Sequence, residues 1–208
     1  MTVGLDGSAV ENALGGAAPL TCPVVGCAGV LGPWGWARER IVRGAGLLRP
    51  RRGRCRSCRR TQVLLPASVL LRRADAVAVI GSALVAKAGG LGHRRVAAQL
   101  GRAPSTVRGW LRRIASVAAA VFAVFAAAAA QLGVEFVPPA PRAEPVAAVV
   151  EMVGALARAA ALRLGGSSSP WRLAAVVSGG RLLAPHGPDL GSGWRAERNT
   201  SWLWAGGP

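Results

Sequence analysis

The chain has four cysteines, and they fall in two close pairs, Cys22-x4-Cys27 and Cys55-x2-Cys58, with 27 residues between the pairs. Two short knuckles that each supply two thiolates, brought together by an intervening β-hairpin, are what a tetrahedral Zn2+ site needs. Such a site is closed and structural. All four ligands come from protein, so no position is left for a water nucleophile and zinc hydrolase chemistry is not implied. The four spacers in the first pair are wider than the commoner two, and the alternative is a set of ordinary buried or free cysteines. His93 and His186, the two histidines, lie beside no cysteine and stay out of the set. Arg54, Arg56, Arg59 and Arg60 crowd the second knuckle, where they would be drawn to zinc-bound thiolates or to phosphate, or form a solvated basic edge. After Gly133 the acids are Glu135, Glu144, Glu151, Asp189 and Glu197, in helix, linker and tail contexts rather than on strand ends. A two-metal carboxylate centre is not expected, and no catalytic constellation is found.

The second stretch with chemistry in its spacing runs from His93 to Arg112. Val96 and Leu100 face inward from a short helix, Ala97 is small enough to let a following helix approach, and Gly101 permits a left-handed turn conformation through Gly101-Arg102-Ala103. The next helix opens at Pro104, whose missing N–H costs nothing at the first helical position. Val107, Trp110, Leu111 and Ile114 then recur at i, i+3, i+4 and i+7 as a buried stripe. Ser105, Thr106, Arg108, Gly109 and Arg112 are left to project outward, a composition suited to base edges and phosphates in a major groove. With Arg94, Arg95, Arg102 and Arg113 these are the candidate DNA-binding residues, Gly109 serving only as space. Ala103 stands where Ser or Thr usually caps, and Arg102 where an apolar turn residue is common. The bland alternative is a helical hairpin inside a core.

The elements that must position these groups can be read from composition and period. Among 208 residues, 26 are basic against 9 acidic, a net charge of +17, and every basic residue but Lys87 is arginine. A GC-rich coding bias accounts for part of that. The clustering of arginine at Arg49 to Arg60, with Arg72 and Arg73, and again at Arg94 to Arg113, calls for a polyanion, because Asp75 is the only acid between Glu39 and Glu135. Residues 1–20 are Gly/Ala-rich and read as a disordered lead-in, with ordered structure beginning at Cys22. Residues 21–66 read as a zinc β-ribbon in which Trp34, Trp36, Arg38 and Arg40 alternate on one face and Thr61 to Leu65 is a strand closed by Pro66. From about Ala67 the period turns helical, with Val77, Ile80, Leu84 and Val85 on one side and Gly89-Gly90 as the stop, and residues 67–115 form the helix-turn-helix module. Residues 116–164 read as Ala-rich helices around a Pro-rich linker at 138–145, the second helix running from Val146 to Leu164 with Val149, Val150, Val153, Leu156 and Leu162 near one side. Residues 165–208 read as a flexible break at Gly165 to Ser169, two short strands within Arg172 to Ala184, and a loose tail; Trp171, Trp194, Trp202 and Trp204 belong to this segment. The fold class is therefore mainly α, with a small ribbon in front.

Arg94-Arg-Val-Ala-Ala-Gln-Leu-Gly with Ser105-Thr-Val-Arg-Gly-Trp-Leu resembles the homeodomain-like helix-turn-helix of insertion-sequence transposases and related regulators. Arg54-Cys-Arg-Ser-Cys-Arg-Arg-Thr61 is similar to the zinc ribbon that precedes it there, and the combination with Val63-Leu-Leu-Pro66 resembles an actinobacterial domain family of unknown function. The likeness covers about Cys22 to Ile114. It implies binding of double-stranded DNA and carries no catalytic domain with it. The expected protein is a regulator or mobile-element-derived DNA binder; a DNA-targeting transposase remnant or accessory is the alternative.

Location and assembly follow from the remaining segments. The N-terminus has no basic n-region and carries Asp6 and Glu11, so a cytoplasmic chain is expected, where reduced thiols favour metal binding. Ile114 to Val134 holds no charge and is long enough to cross a bilayer, but it is mostly alanine, Gln131 interrupts it, and no second segment reads this way. A buried helix, or one pairing with a second subunit in a homodimer, is the expectation, and a membrane-tethered regulator the further alternative.

Overall fold

Turn residues cut the first third of the chain into short strands, and the alanine-rich remainder winds into helices. The computed structural model describes residues 2–3, 14, 19–133, 135–140, 142–165, 169–184 and 188. Its strands are β1 (Thr2–Val3), β2 (Leu31–Trp36), β3 (Arg40–Val42), β4 (Gly46–Leu48), β5 (Arg51–Cys55) and β6 (Thr61–Pro66). β5 is the middle of an antiparallel trio between β2 and β6, and β1 runs parallel to β6, giving the order β1-β6-β5-β2. Leu14, Leu20, Cys22, Leu31, Cys55 and Leu64 fill its small core. One fully buried aliphatic side chain contributes roughly 1.5–3 kcal/mol, so a core of this size needs a further clamp.

The lead-in is thus partly ordered, contrary to expectation: Leu14 and Leu20 are buried and Thr2–Val3 pair with Leu65 and Pro66. Residues 1, 4–13 and 15–18 lie outside the described residues. Nor do Trp34, Trp36, Arg38 and Arg40 share a face. Gly35, at φ +101°, sits in an irregularity between Pro33 and Trp36; Gly32 lies opposite Arg54, and Trp36 opposite Arg51. Arg51 and Arg54 are three residues apart on β5 and so project from opposite faces, and Trp36 and Trp34 go with them. Arg40 belongs to the separate β3–β4 hairpin. At its tip Gly44 has φ +84°, and a Cβ there would come within 2.6 Å of Val79 Cγ2, so the hairpin sits this close to the first helix because the residue has no side chain.

The helices are α1 (Val77–Ala88), α2 (His93–Leu100), α3 (Pro104–Ala130), α4 (Pro145–Leu164) and α5 (Pro170–Val177). Helix α1 begins about ten residues later than the period indicated. Before it, Arg72 takes a left-handed φ of 57° and Val69 bridges to Ala76, so the apolar residues Val69 and Leu70 reach the core from turns. Val77, Ile80 and Leu84 are buried as expected, but Val85 is half exposed.

One continuous core runs from Leu70 to Leu183 and takes in these five helices. A boundary at residue 115 therefore cuts through α3, whose buried line continues without a break from Val107 and Ile114 to Val121, Phe125 and Ala129. Helices α3 and α4 make the most extensive contact, and α4 also packs on α1 and α5. Leu162, assigned to the buried side of α4, is instead exposed. Alanine buries little area, so Phe125, Ile114, Met152, Leu156 and Leu84, all fully buried, carry most of the hydrophobic stabilisation here.

The segment expected to hold two strands is α5 followed by a turn. Val176-Val177 before Gly179-Gly180 imitates a hairpin, yet Ser169-Pro170 starts a helix whose Leu173, Ala174 and Val177 fall at i, i+1 and i+4 and are buried. Trp171, on this helix, lies over Gly81 of α1, where any Cβ would penetrate its ring. Both α3 and α4 are long and apolar enough to cross a membrane, two segments where one, Ile114 to Val134, is expected from the sequence. Their mutual packing is also what core helices do.

Candidate functional site

The two cysteine pairs come from loops whose backbones are closed by hydrogen bonds. Cys22 N–H donates to Gly29 O at 2.8 Å and Cys27 N–H to Val24 O at 3.0 Å, so the wider first knuckle is itself a tight turn, with Gly26 at φ +77°. Cys55 ends β5, its N–H donates to Arg60 O at 2.9 Å, and Arg59 N–H donates to Cys55 O at 3.1 Å. Gly29 lets the knuckles meet: a Cβ there would fall 2.6 Å from Cys55 Sγ and 2.5 Å from Ser57 Oγ.

All four Sγ atoms lie within 4.8 Å of one another, with Cys22 to Cys58 and Cys27 to Cys55 each at 3.6 Å. A tetrahedron with metal–sulfur bonds of 2.3 Å has edges of about 3.8 Å, so this spacing fits a single metal ion held by four thiolates. The spacing is far beyond a disulfide bond of about 2.05 Å. Backbone donors are already aimed at the sulfurs: Gly29 N–H at Cys27 Sγ and Cys58 N–H at Cys55 Sγ, both at 3.4 Å. Burial acts upward on Cys55, but the backbone N–H groups of Cys58 and Ser57, with the neighbouring thiols, outweigh it and bring that thiol down to about 6. Burial is the leading effect at Cys22 and pushes it up to about 12. The donor set therefore fits a metal ion. Leu14, Leu20, Leu31 and Leu64, with Val24, pack together with Cys22, Cys27 and Cys55 as the small core.

Away from the cysteines, α2 and α3 present the other candidate residues. Gly101 adopts φ 60°, ψ 43°, Pro104 is the first residue of α3, and Ala103 makes no side-chain cap. Val96, Ala97, Val107, Trp110, Leu111 and Ile114 are buried in the helical core, and Leu100 packs against it. Arg94, Arg95, Ser105, Arg108, Gly109 and Arg112 are exposed, Thr106 half-buried. Arg113 is half-buried as well, and its charge adds to the effect of burial in lowering the pKa of Arg73, whose Nη2 donates to Leu183 O at 2.6 Å.

Arg102 does not join the outward set. Its Nε donates to Asp75 Oδ1 at 2.5 Å, and its Nη1 to the carbonyls of Leu100 and Gly101 at 3.1 Å each. The position usually apolar in this turn is here filled by a guanidinium neutralised from inside. Asp75 is 2% exposed and also accepts from Arg43 Nε at 3.0 Å and Nη2 at 2.7 Å. Burial alone would raise its pKa, but the hydrogen bonds and charges of Arg43 and Arg102 prevail and hold it below the usual carboxylate range. One carboxylate thus ties the ribbon, through Arg43 just past β3, to the turn between α2 and α3. Its signal in the sequence was its isolation, the single acid in the basic field.

Two exposed aromatic rings of β2 carry guanidinium groups, a pairing between strands that spacing along the chain does not reveal. Arg54 lies over the Trp34 ring at 4.2 Å, and Arg51 and Arg49 over Trp36 at 4.4 and 5.6 Å. Trp34 and Trp36 are 50% and 47% exposed. His93 opens α2, half-buried and outside the cysteine cluster, while His186, Asp189, Glu197 and the tryptophans at 194, 202 and 204 lie outside the described residues. Compared with protein-family models, with curated proteins and with solved structures, the chain matches none.

Proposed function

We propose that the chain is a cytoplasmic, non-enzymatic DNA-binding protein in which α2, the Gly101 turn and α3 act as a helix-turn-helix and the four-cysteine ribbon, holding a structural Zn2+, buttresses it. Cys22, Cys27, Cys55 and Cys58 would hold the ion, which supplies the folding energy that so small a core lacks. The observation that carries the reading is the division of α3: Val107, Trp110, Leu111 and Ile114 are buried, while Ser105, Arg108, Gly109 and Arg112 are exposed on its opening turns, with no acid beside them in the sequence. A helix of this kind offers arginines to guanine edges or phosphates and small polar residues where the groove wall comes close.

Gel shifts with duplex DNA test it. Four phosphate contacts, from Arg94, Arg95, Arg108 and Arg112, give a slope of about −3.6 in log affinity against log salt. Arg108→Ala with Arg112→Ala is expected to weaken binding at least tenfold and flatten that slope. Salt-insensitive retention, or a double variant that binds like the parent, refutes the proposal. The exposed alanines Ala119, Ala120 and Ala123 on α3 leave room for a homodimer by close helix packing, checked by sedimentation. A second reading, a membrane-tethered form of the same regulator, is favoured by the two long apolar helices. Recovery without detergent excludes it.

A further inference from the structure

The ribbon's edge strand carries two tryptophans that its own fold does not bury. Among the described strands β2 pairs with β5 alone and closes that end of the sheet, while its first residue also donates from Leu31 N–H to Leu20 O at 2.7 Å. The bulge at Gly35 turns Trp34 to one side of that edge and Trp36 to the other. Each ring keeps about half its surface open while a guanidinium covers part of it: Arg54 on Trp34, Arg51 and Arg49 on Trp36. These arginines are themselves braced, Arg54 Nε donating to Arg59 O at 3.1 Å and Arg51 Nη1 to Gly35 O at 3.2 Å. Leaving a large indole half in water forgoes hydrophobic stabilisation, and massing arginines around it adds like-charge repulsion. The structural metal cluster needs neither feature.

From this arrangement we propose that the β2 edge is a binding site for single-stranded nucleic acid, with one base stacking on each of Trp34 and Trp36 and the strand's phosphates neutralised by Arg49, Arg51 and Arg54. An indole already carrying a guanidinium on one face offers the other to a base, and the three-layer stack is favoured by both cation–π attraction and ring overlap. Because the bulge at Gly35 sends the two rings to opposite sides of the edge, a strand that crosses this edge can lay one splayed base on each. Charge selects the occupant. From Trp34 to Arg54 one exposed acid, Glu39, stands against seven arginines, and the next acid along the chain, Asp75, is buried and consumed by Arg43 and Arg102. A duplex cannot satisfy the site, since its bases are stacked on each other and present edges rather than faces. The site is separate from Arg108 and Arg112 and stands whether or not α3 reads a major groove.

The test is anisotropy of a fluorescein-labelled oligo-dT strand with the full-length, metal-loaded protein, run beside a duplex of mixed sequence. The parent is expected to bind oligo-dT. Trp34→Leu and Trp36→Leu keep apolar bulk and lose the aromatic face; each is expected to weaken oligo-dT binding about fivefold or more, and the pair about twenty-five-fold or more, with duplex affinity held within about twofold. Trp34→Phe with Trp36→Phe is expected to recover part of the loss. Arg108→Ala with Arg112→Ala is expected to leave oligo-dT binding intact. Metal content and thiol reactivity of the Leu variants report whether the ribbon is folded, and should they fail to fold, the Phe pair and Arg54→Gln carry the same test at smaller amplitude. Oligo-dT binding that is absent from the parent, or that is indifferent to Leu and Phe alike, overturns the proposal.

Discussion

Replacing Asp75 by alanine gives the sharpest test of how ribbon and helices are joined. The carboxylate is almost fully buried, and its shortest contact is to Arg102, whose side chain is 18% exposed and otherwise donates to the backbone carbonyls of Leu100 and Gly101. Removing one member of a buried pair costs about 3–5 kcal/mol, because the other charge is left uncompensated. The Arg43 contact adds little, since that side chain is half in water and can re-solvate. The loss expected for Asp75→Ala is therefore about 3 kcal/mol, the low end of the range. With a urea m-value of about 2–3 kcal/mol/M, the unfolding midpoint followed by tryptophan fluorescence falls by about 1 M or more.

Two further readouts distinguish this from a nonspecific packing defect. Asp75→Ala with Arg102→Ala is expected to be more stable than the two losses summed, because the stranded guanidinium is gone. The pH dependence has a definite sign. The folded pKa of Asp75 lies below its unfolded value of about 3.9, so its stabilisation is fully present above that value and is lost as pH falls through the folded pKa. The gap between parent and variant should be constant near neutrality and close below about pH 4. A loss under about 1 kcal/mol, strict additivity in the cycle, or a gap that persists in acid refutes the reasoning.

Other expectations follow from single residues. Gly81→Ala drives a methyl into the Trp171 ring and is expected to cost about 1–3 kcal/mol with a shift of indole emission, whereas Gly101→Ala meets no atom within 4 Å and carries only left-handed backbone strain of about 1–2 kcal/mol; urea melts compare them. Glu144 caps α4, its carboxylate accepting from Ala147 N–H at 2.6 Å, so Glu144→Ala should lower stability by about 1 kcal/mol and slightly more at low salt. Cobalt substitution at the four cysteines should give the intense thiolate-to-metal absorption of a tetrahedral site, with one metal per chain by elemental analysis, and Cys55→Ser should reduce it. A chain that takes up no metal removes the clamp from the ribbon.

How far the sequence could be read depended on whether a residue's neighbours were local. The knuckles at Cys22–Cys27 and Cys55–Cys58 and the Gly101-Arg102-Ala103 turn were legible because each is specified within a few residues, by ligand spacing or by the φ only glycine tolerates cheaply. The buried stripe from Val107 to Ile114 was legible because helical period is local too. What escaped depended on distant partners. Arg102 looked like a surface residue until Asp75, 27 positions earlier, was found beneath it. Val176-Val177-Ser178-Gly179-Gly180 read as strand and turn because β-branched residues before glycines favour that locally, and tertiary packing of Trp171 and Leu173 against α1 and its neighbours decided otherwise. The division at residue 115 failed for the same reason: α3 changes composition there, but its buried line does not.

Helix α3 has a mechanical consequence. At 27 residues it is a strut about 40 Å long, with exposed arginines at one end and the alanine-rich packing surface at the other. Gly109 is its only glycine and lies in the second turn, so no break separates the two ends. A rotation imposed on the alanine-rich half therefore turns the arginine-bearing end through the same angle. If two copies join along that half, the distance between their arginine ends is fixed like the jaws of a caliper, and the separation of paired sites on a duplex becomes a measure of how the helices cross.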